Sequence, residues 1–198
     1  MQRRDFMLKT ATSLMLVGAA ATGCTTTVTP TVNTDDKAAA NKRRLEITTN
    51  ADATLSRLYA TVHGSRELVA KASGVLTFPS VIAAGFVVGA QYGDGALQVH
   101  HATADYYSLT SVSAGLQIGA QSKAIILLFM TQTALDNFRK SEGWVAGVDA
   151  SVAVLKVGAN GAIDVTSATS PVLAFVLTNA GLMANLTLEG TKITRLKL

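Results

Sequence analysis

Ala84-Gly85-Phe86-Val87-Val88-Gly89-Ala90-Gln91 and Ala114-Gly115-Leu116-Gln117-Ile118-Gly119-Ala120-Gln121 decide the fold class, because both open on an Ala-Gly pair and then alternate. They start 30 residues apart, and looser copies follow at Ala146-Gly147-Val148-Asp149-Ala150-Ser151-Val152 and Ala180-Gly181-Leu182-Met183-Ala184-Asn185-Leu186. A period of two marks a strand with one buried face. In each copy the Ala-led parity is apolar and the Gly-led parity is mostly small or polar, so each segment reads as a strand that buries its Ala-led face. Glycine inside strands indicates sharp coiling or a closely approaching backbone, as in a small barrel or a strongly curved sandwich. Working outward, Ala124 to Met130 is wholly apolar and reads as a buried strand. Val165 to Leu188 carries no charge, but Pro171, Asn179, Gly181 and Asn185 interrupt it and its second half alternates. Two core strands joined at a turn fit that stretch better than a membrane helix. Gly93-Asp94-Gly95 reads as a hairpin turn.

Upstream of Gly74 the period changes to that of a helix. Thr34 can cap it, Asp35 and Asp36 suit its positive end, and Ile47, Ala51, Leu55, Leu58 and Val62 form an apolar stripe. Gly64 ends this helix, and Ser65 can cap a second, short one through Glu67, Leu68, Val69 and Lys71. Thr131 or Thr133 can cap another short helix through Ala134, Leu135, Phe138 and Arg139. The fold class is therefore α+β: N-terminal helices followed by a mostly antiparallel, strongly curved β-sheet, barrel- or sandwich-like, with one short inserted helix.

The N-terminus has the layout of an export signal. Arg3, Arg4 and Lys9 form a basic start, Leu14 to Ala21 is apolar, and Ala21-Thr22-Gly23 precede Cys24. The apolar run is far shorter than the roughly 20 residues of a membrane span. Ala21-Thr22-Gly23-Cys24 resembles a bacterial lipobox, which implies a signal peptide over residues 1–23 and diacylation of Cys24. Arg3-Arg4-Asp5-Phe6 also resembles a twin-arginine signal, and general secretion stays open beside it. Residues 24–34 lack charge and aromatic groups up to Asn33 and Thr34 and read as a flexible tether. Residues 35–198 form the folded domain. Thr25 is not the Asp that commonly keeps lipoproteins at the inner membrane, so the expected location is the cell envelope, lipid-anchored at the outer membrane and facing the periplasm.

Composition narrows the function. In 198 residues, 48% are hydrophobic and 15% charged, and the mean hydropathy is +0.32, which excludes a disordered chain and suits one domain. Lys and Arg number 17 against 13 acids; without Arg3, Arg4, Lys9 and Asp5 they number 14 against 12, too small an excess to indicate nucleic acid. Cys24 is the single cysteine, so no internal disulfide forms. His100 and His101, adjacent on a strand, would point to opposite faces and cannot easily chelate one ion, and His63 has no partner motif. Ser113 has Ser111 where a GxSxG elbow needs glycine, and Gln98 breaks a GxGxxG pattern after Gly93. No catalytic residue, metal site or cofactor is expected; the chain reads as a non-enzyme. Lys42, Arg43 and Arg44 cluster early in the first helix, with Arg57, Arg66 and Lys71 after them. That cluster suits either a solvated helix face or an anionic membrane surface, where each cation contributes about 1 kcal/mol. Trp144 suits a membrane-interface anchor or a core equally.

Ala70-Lys71-Ala72-Ser73-Gly74-Val75-Leu76-Thr77-Phe78, the blocks at Ala84 and Ala114, and Ala180-Gly181-Leu182 with Leu188-Glu189-Gly190 together resemble the SYLF-domain family, also called the Ysc84-type actin-binding or lipid-binding domain. The resemblance runs from about Ala51 to Leu198. It implies a phospholipid-binding module with a basic N-terminal helix, some members binding actin. Carried onto this chain, the lipid-binding positions are Lys42, Arg43, Arg44 and Lys71. Outside the cytoplasm neither actin nor phosphoinositides are expected, so the implied ligand is an anionic phospholipid such as phosphatidylglycerol or cardiolipin, bound by a monomer. Two other classes compete: an outer-membrane β-barrel, for which 6% aromatic content supplies little for two girdles, and a non-enzymatic periplasmic scaffold that binds a protein partner through its sheet face.

Overall fold

The computed structural model describes residues 34–85, 88–114, 119–156, 163, 169–178, 181–182 and 188–198. The stripe read from the sequence is the one the fold buries: α1 (Thr34–Thr61) turns Ile47, Ala51, Leu55 and Leu58 inward, with Val62 just beyond its end. Gly64, in a left-handed conformation (φ +80°), reverses the chain into α2 (Ser65–Lys71). Ser65 does not cap α2; its buried hydroxyl donates to the carbonyls of Leu58 and Val62 and ties the two helices together.

Among the described residues nine strands follow: β1 (Gly74–Gly85), β2 (Val88–Val99), β3 (Ala102–Ala114), β4 (Gly119–Phe129), β5 (Trp144–Val145), β6 (Val152–Val154), β7 (Val172–Thr178), β8 (Gly181–Leu182) and β9 (Lys192–Arg195). α3 (Gln132–Lys140) is inserted after β4, and Thr131 caps it by accepting from the Ala134 N–H at 3.2 Å. The strands form one curled sheet in the order β5-β9-β3-β2-β1-β4-β7-β6, with β8 also on β7. Among these described strands every pairing is antiparallel except β6 with β7. The expected α+β fold with one inserted helix is what forms, and its curved sheet is a single layer rather than a sandwich.

Two apolar runs sit at the centre and are covered on both faces. Ala124, Ile126, Leu128, Leu173, Phe175 and Leu177 pack with Leu55, Leu58 and Val69 of the helices. The alternate residues Ile125, Leu127, Phe129, Val172, Ala174 and Val176 pack with Leu135 and Phe138 of α3. Phe138 lies 4.7 Å from the rings of both Tyr107 and Phe129 and 5.6 Å from Trp144, so Trp144 belongs to the core and is not an interfacial anchor. Asn33–Leu198 forms a compact unit holding all these clusters, and so has the core it needs to fold alone.

The first three Ala-Gly segments are not single strands among their described residues. The first spans the end of β1 and the start of β2, with Ala84 paired to Ala90 and Gly85 to Gly89. The second spans the end of β3 and the start of β4, and its Gly115 lies outside the described residues. Pairing Gly85 with Gly89 keeps residues of equal parity on one face on either side of the reversal. The expected burial also inverts: Ala84 and Ala90 are exposed and Gly89 is buried, because the helices do not cover this end of the sheet. In the third copy, Gly147 (φ +82°) to Asp149 make a turn, closed by the Asp149 carboxylate accepting from the Val145 N–H at 2.6 Å. Of the fourth, only β8 is described.

Gly93-Asp94-Gly95 lies inside β2 and is not a hairpin turn. Beside it β1 shifts register between Phe78 and Val81, putting both into one core. A Cβ on Gly95 would lie 2.6 Å from the Thr77 carbonyl oxygen and the Phe78 ring, and one on Gly93 2.7 Å from the Ser80 carbonyl oxygen. The actual β2–β3 turn is His100-His101, both left-handed at φ +51° and +65°, so these residues do not lie on a strand as expected.

Candidate functional site

The first helix is held across the sheet by its own polar residues. Thr48 and Tyr106 hydroxyls lie 3.0 Å apart, the Gln98 amide donates to Asp52 at 2.7 Å, and Ile47 and Ala51 rest on Ala96. Because β1 bulges at Pro79 and Ser80, a groove of about 570 Å³ opens between the N-terminal half of α1 and β1–β2. Lys42 and Arg43 stand on its helix wall, and Pro79, Ser80, Ile82 and Tyr92 form its floor. A second hollow of about 370 Å³ shares Asn50, Pro79 and Ser80 with the first and brings in Arg57.

The sequence-predicted residues meet different fates. Lys42 is exposed and its only ion-pair neighbour among the described residues is Glu46 at 4.0 Å, a pair too solvated to hold it. Arg43 donates to Asp94 at 2.5 Å, and the Tyr92 hydroxyl donates to the same carboxylate at 2.7 Å. That hydrogen bond and charge raise the Arg43 pKa, and the bond to Asp94, then burial, raise the Tyr92 pKa. Arg44 faces away, bonded to Asn41 and the main-chain oxygen of Leu198. Lys71 is exposed at the end of α2 and lines neither hollow. Arg57, one of the basic residues that follow the Lys42 cluster, lines the second hollow, because the helix's contact with the β1 bulge puts it beside Pro79. Arg66 stacks over the Tyr59 ring at 4.3 Å instead. The apolar stripe of α1 is used up in the core, leaving Leu45 as its exposed large apolar residue.

His63, His100 and His101 remain apart from this groove, and among the described residues no three His, Cys, Asp or Glu side chains gather as metal ligands. No helix among the described residues is long and apolar enough to cross a membrane, which leaves strands out of account.

A curled, largely antiparallel sheet is thus crossed by a helix, and the groove beside it is lined by two cations, Lys42 and Arg43, and two carboxylates, Glu46 and Asp94. The family model Ysc84 (SYLF), described as Las17-binding protein actin regulator, matches residues 110–197, from the end of β3 through β9. Similarity to that family over these residues suggests lipid- or actin-related binding. The groove itself is built upstream of the matched residues. Comparison with curated proteins gives no match.

Proposed function

We propose that the chain is an exported lipoprotein, acylated at Cys24 and anchored at the outer membrane facing the periplasm, whose SYLF domain binds anionic phospholipid without catalysing a reaction. The observation that carries the lipid reading is the groove along α1. Lys42 and Arg43, with Glu46 and Asp94 beside them, stand in one hollow and Arg57 in the next, the two sharing Pro79 and Ser80. Phosphate groups suit such cations, whereas actin is not expected in an exported compartment. Lys42 supplies the least encumbered charge, while Arg43 is oriented by Asp94. The domain acts as a monomer tethered through residues 24–34.

Co-sedimentation of residues 33–198 with phosphatidylglycerol or cardiolipin vesicles tests this reading. Wild type should bind them and lose affinity at high salt, since the surface potential decays over about 8 Å at physiological ionic strength. Replacing Lys42, Arg43 and Arg57 by alanine should weaken binding by up to roughly 3 kcal/mol and leave neutral vesicles unaffected. Lys71→Ala should have the smaller effect. Equal binding by the triple variant would remove the groove from the mechanism. No binding by wild type would favour the alternative, a periplasmic scaffold binding a protein partner through its sheet face.

A further inference from the structure

From the groove floor onward, the helix-side face of the sheet is left uncovered by the other described elements. Ile82 pairs with Tyr92 and Ala84 with Ala90 across β1–β2, and Val112 pairs with Ala90 across β2–β3, so these five side chains share one face. All five are exposed: Ile82 by 56%, Tyr92 by 49% and Val112 by 77%. Their polar neighbours in the same rows, Thr110 and Ser122, are neutral. A side chain as apolar as Val112, projecting into water beside others of its kind, loses the burial that a strand position normally provides.

We infer that this face is the surface laid against an anionic bilayer, with its apolar residues entering the interface while cations at its border meet the headgroups. The inference rests on the lipid-binding reading and says which part of the molecule touches the membrane. Charge placement selects a bilayer as the occupant: Ile82, Ala84, Ala90 and Val112 are uncharged, Tyr92 with its hydroxyl marks their edge, and beyond it Asp94 on the same face is paired with Arg43, with Lys42 alongside. Lys192, opposite Thr110 on β9, borders the other side. An apolar centre, a tyrosine at the margin and cations outside it form the sequence of groups met on passing from acyl chains to phosphates.

The test uses residues 33–198, which lack Cys24 and so contain no other thiol. A polarity-sensitive fluorophore on Val112→Cys should shift to the blue on adding phosphatidylglycerol vesicles and be quenched by lipid-borne quenchers. The same probe at Val148, 78% exposed on the Gly147 turn, should stay water-like. The double variant Ile82→Asp, Val112→Asp, checked for folding by near-ultraviolet circular dichroism, should bind these vesicles at least about tenfold more weakly. If wild type binds but the Val112 probe does not shift and the double variant binds equally, the inference is overturned and the lipid reading survives. If wild type binds no vesicle, both fall. A shift that grows with protein concentration in the absence of vesicles would assign the face to a second copy of the chain and also overturn the inference.

Discussion

Lys123 is the lysine that the sheet buries, 8% exposed on β4 and paired across from Val81, with no ion-pair partner among the described residues. Burial lowers its pKa from the ordinary 10.5. The unfolded chain therefore holds this proton more tightly than the folded one, and stability rises with pH between the lowered value and 10.5. Lys123→Met should raise the urea midpoint near neutral pH by the equivalent of about 1 kcal/mol or more, since a similar volume is filled without a charge. Its advantage should shrink as the pH climbs toward 10.5; a constant advantage would mean that the charge is not the cause. Sequence could not mark this residue, because Gln121-Ser122-Lys123 reads as the polar lead-in to an apolar strand. Gly93 and Gly95 were similarly ambiguous: glycine serves a turn and a close approach equally, and only the Thr77 and Ser80 carbonyls beside them show which need operates.

At the scale of elements, the helices were legible because each closes its own hydrogen bonds and exposes its period locally. The Ile47 to Val62 stripe and the Thr131 cap both appear where the spacing put them. Hairpin ends were not legible, because a reversal that preserves parity leaves no break in the alternation. His100-His101 shows the opposite failure: a turn without turn residues. Left-handed backbone costs a non-glycine residue about 1–2 kcal/mol, and primed two-residue turns favour Asn-Gly for that reason. Replacing the pair by Asn-Gly should stabilise the β2–β3 hairpin by about 1 kcal/mol, read from chemical denaturation with an unchanged slope. An unchanged or lowered midpoint would show that the histidines make contacts that offset their backbone strain.

For the whole molecule, the proposed anchor and the domain make separable demands. Cys24→Ser in the full chain, expressed in a bacterium that processes lipoproteins, should abolish the acyl mass increment and move the protein from the membrane to the soluble envelope fraction. Unchanged mass and partitioning would end the lipoprotein reading. Two acyl chains already give stable attachment, so the domain's own lipid contacts would set orientation rather than residence. The sequence by itself determined the helices, the buried runs of β4 and β7 and the α+β class, because spacing and composition act within a few residues. Tertiary structure alone decided the strand order, the pairing of Arg43 with Asp94 across 51 positions, the placement of Arg57 beside Pro79 and the exposure of Ile82, Tyr92 and Val112. Those features depend on which strands become neighbours and where the helix stops covering them, and that register is set by packing between distant segments.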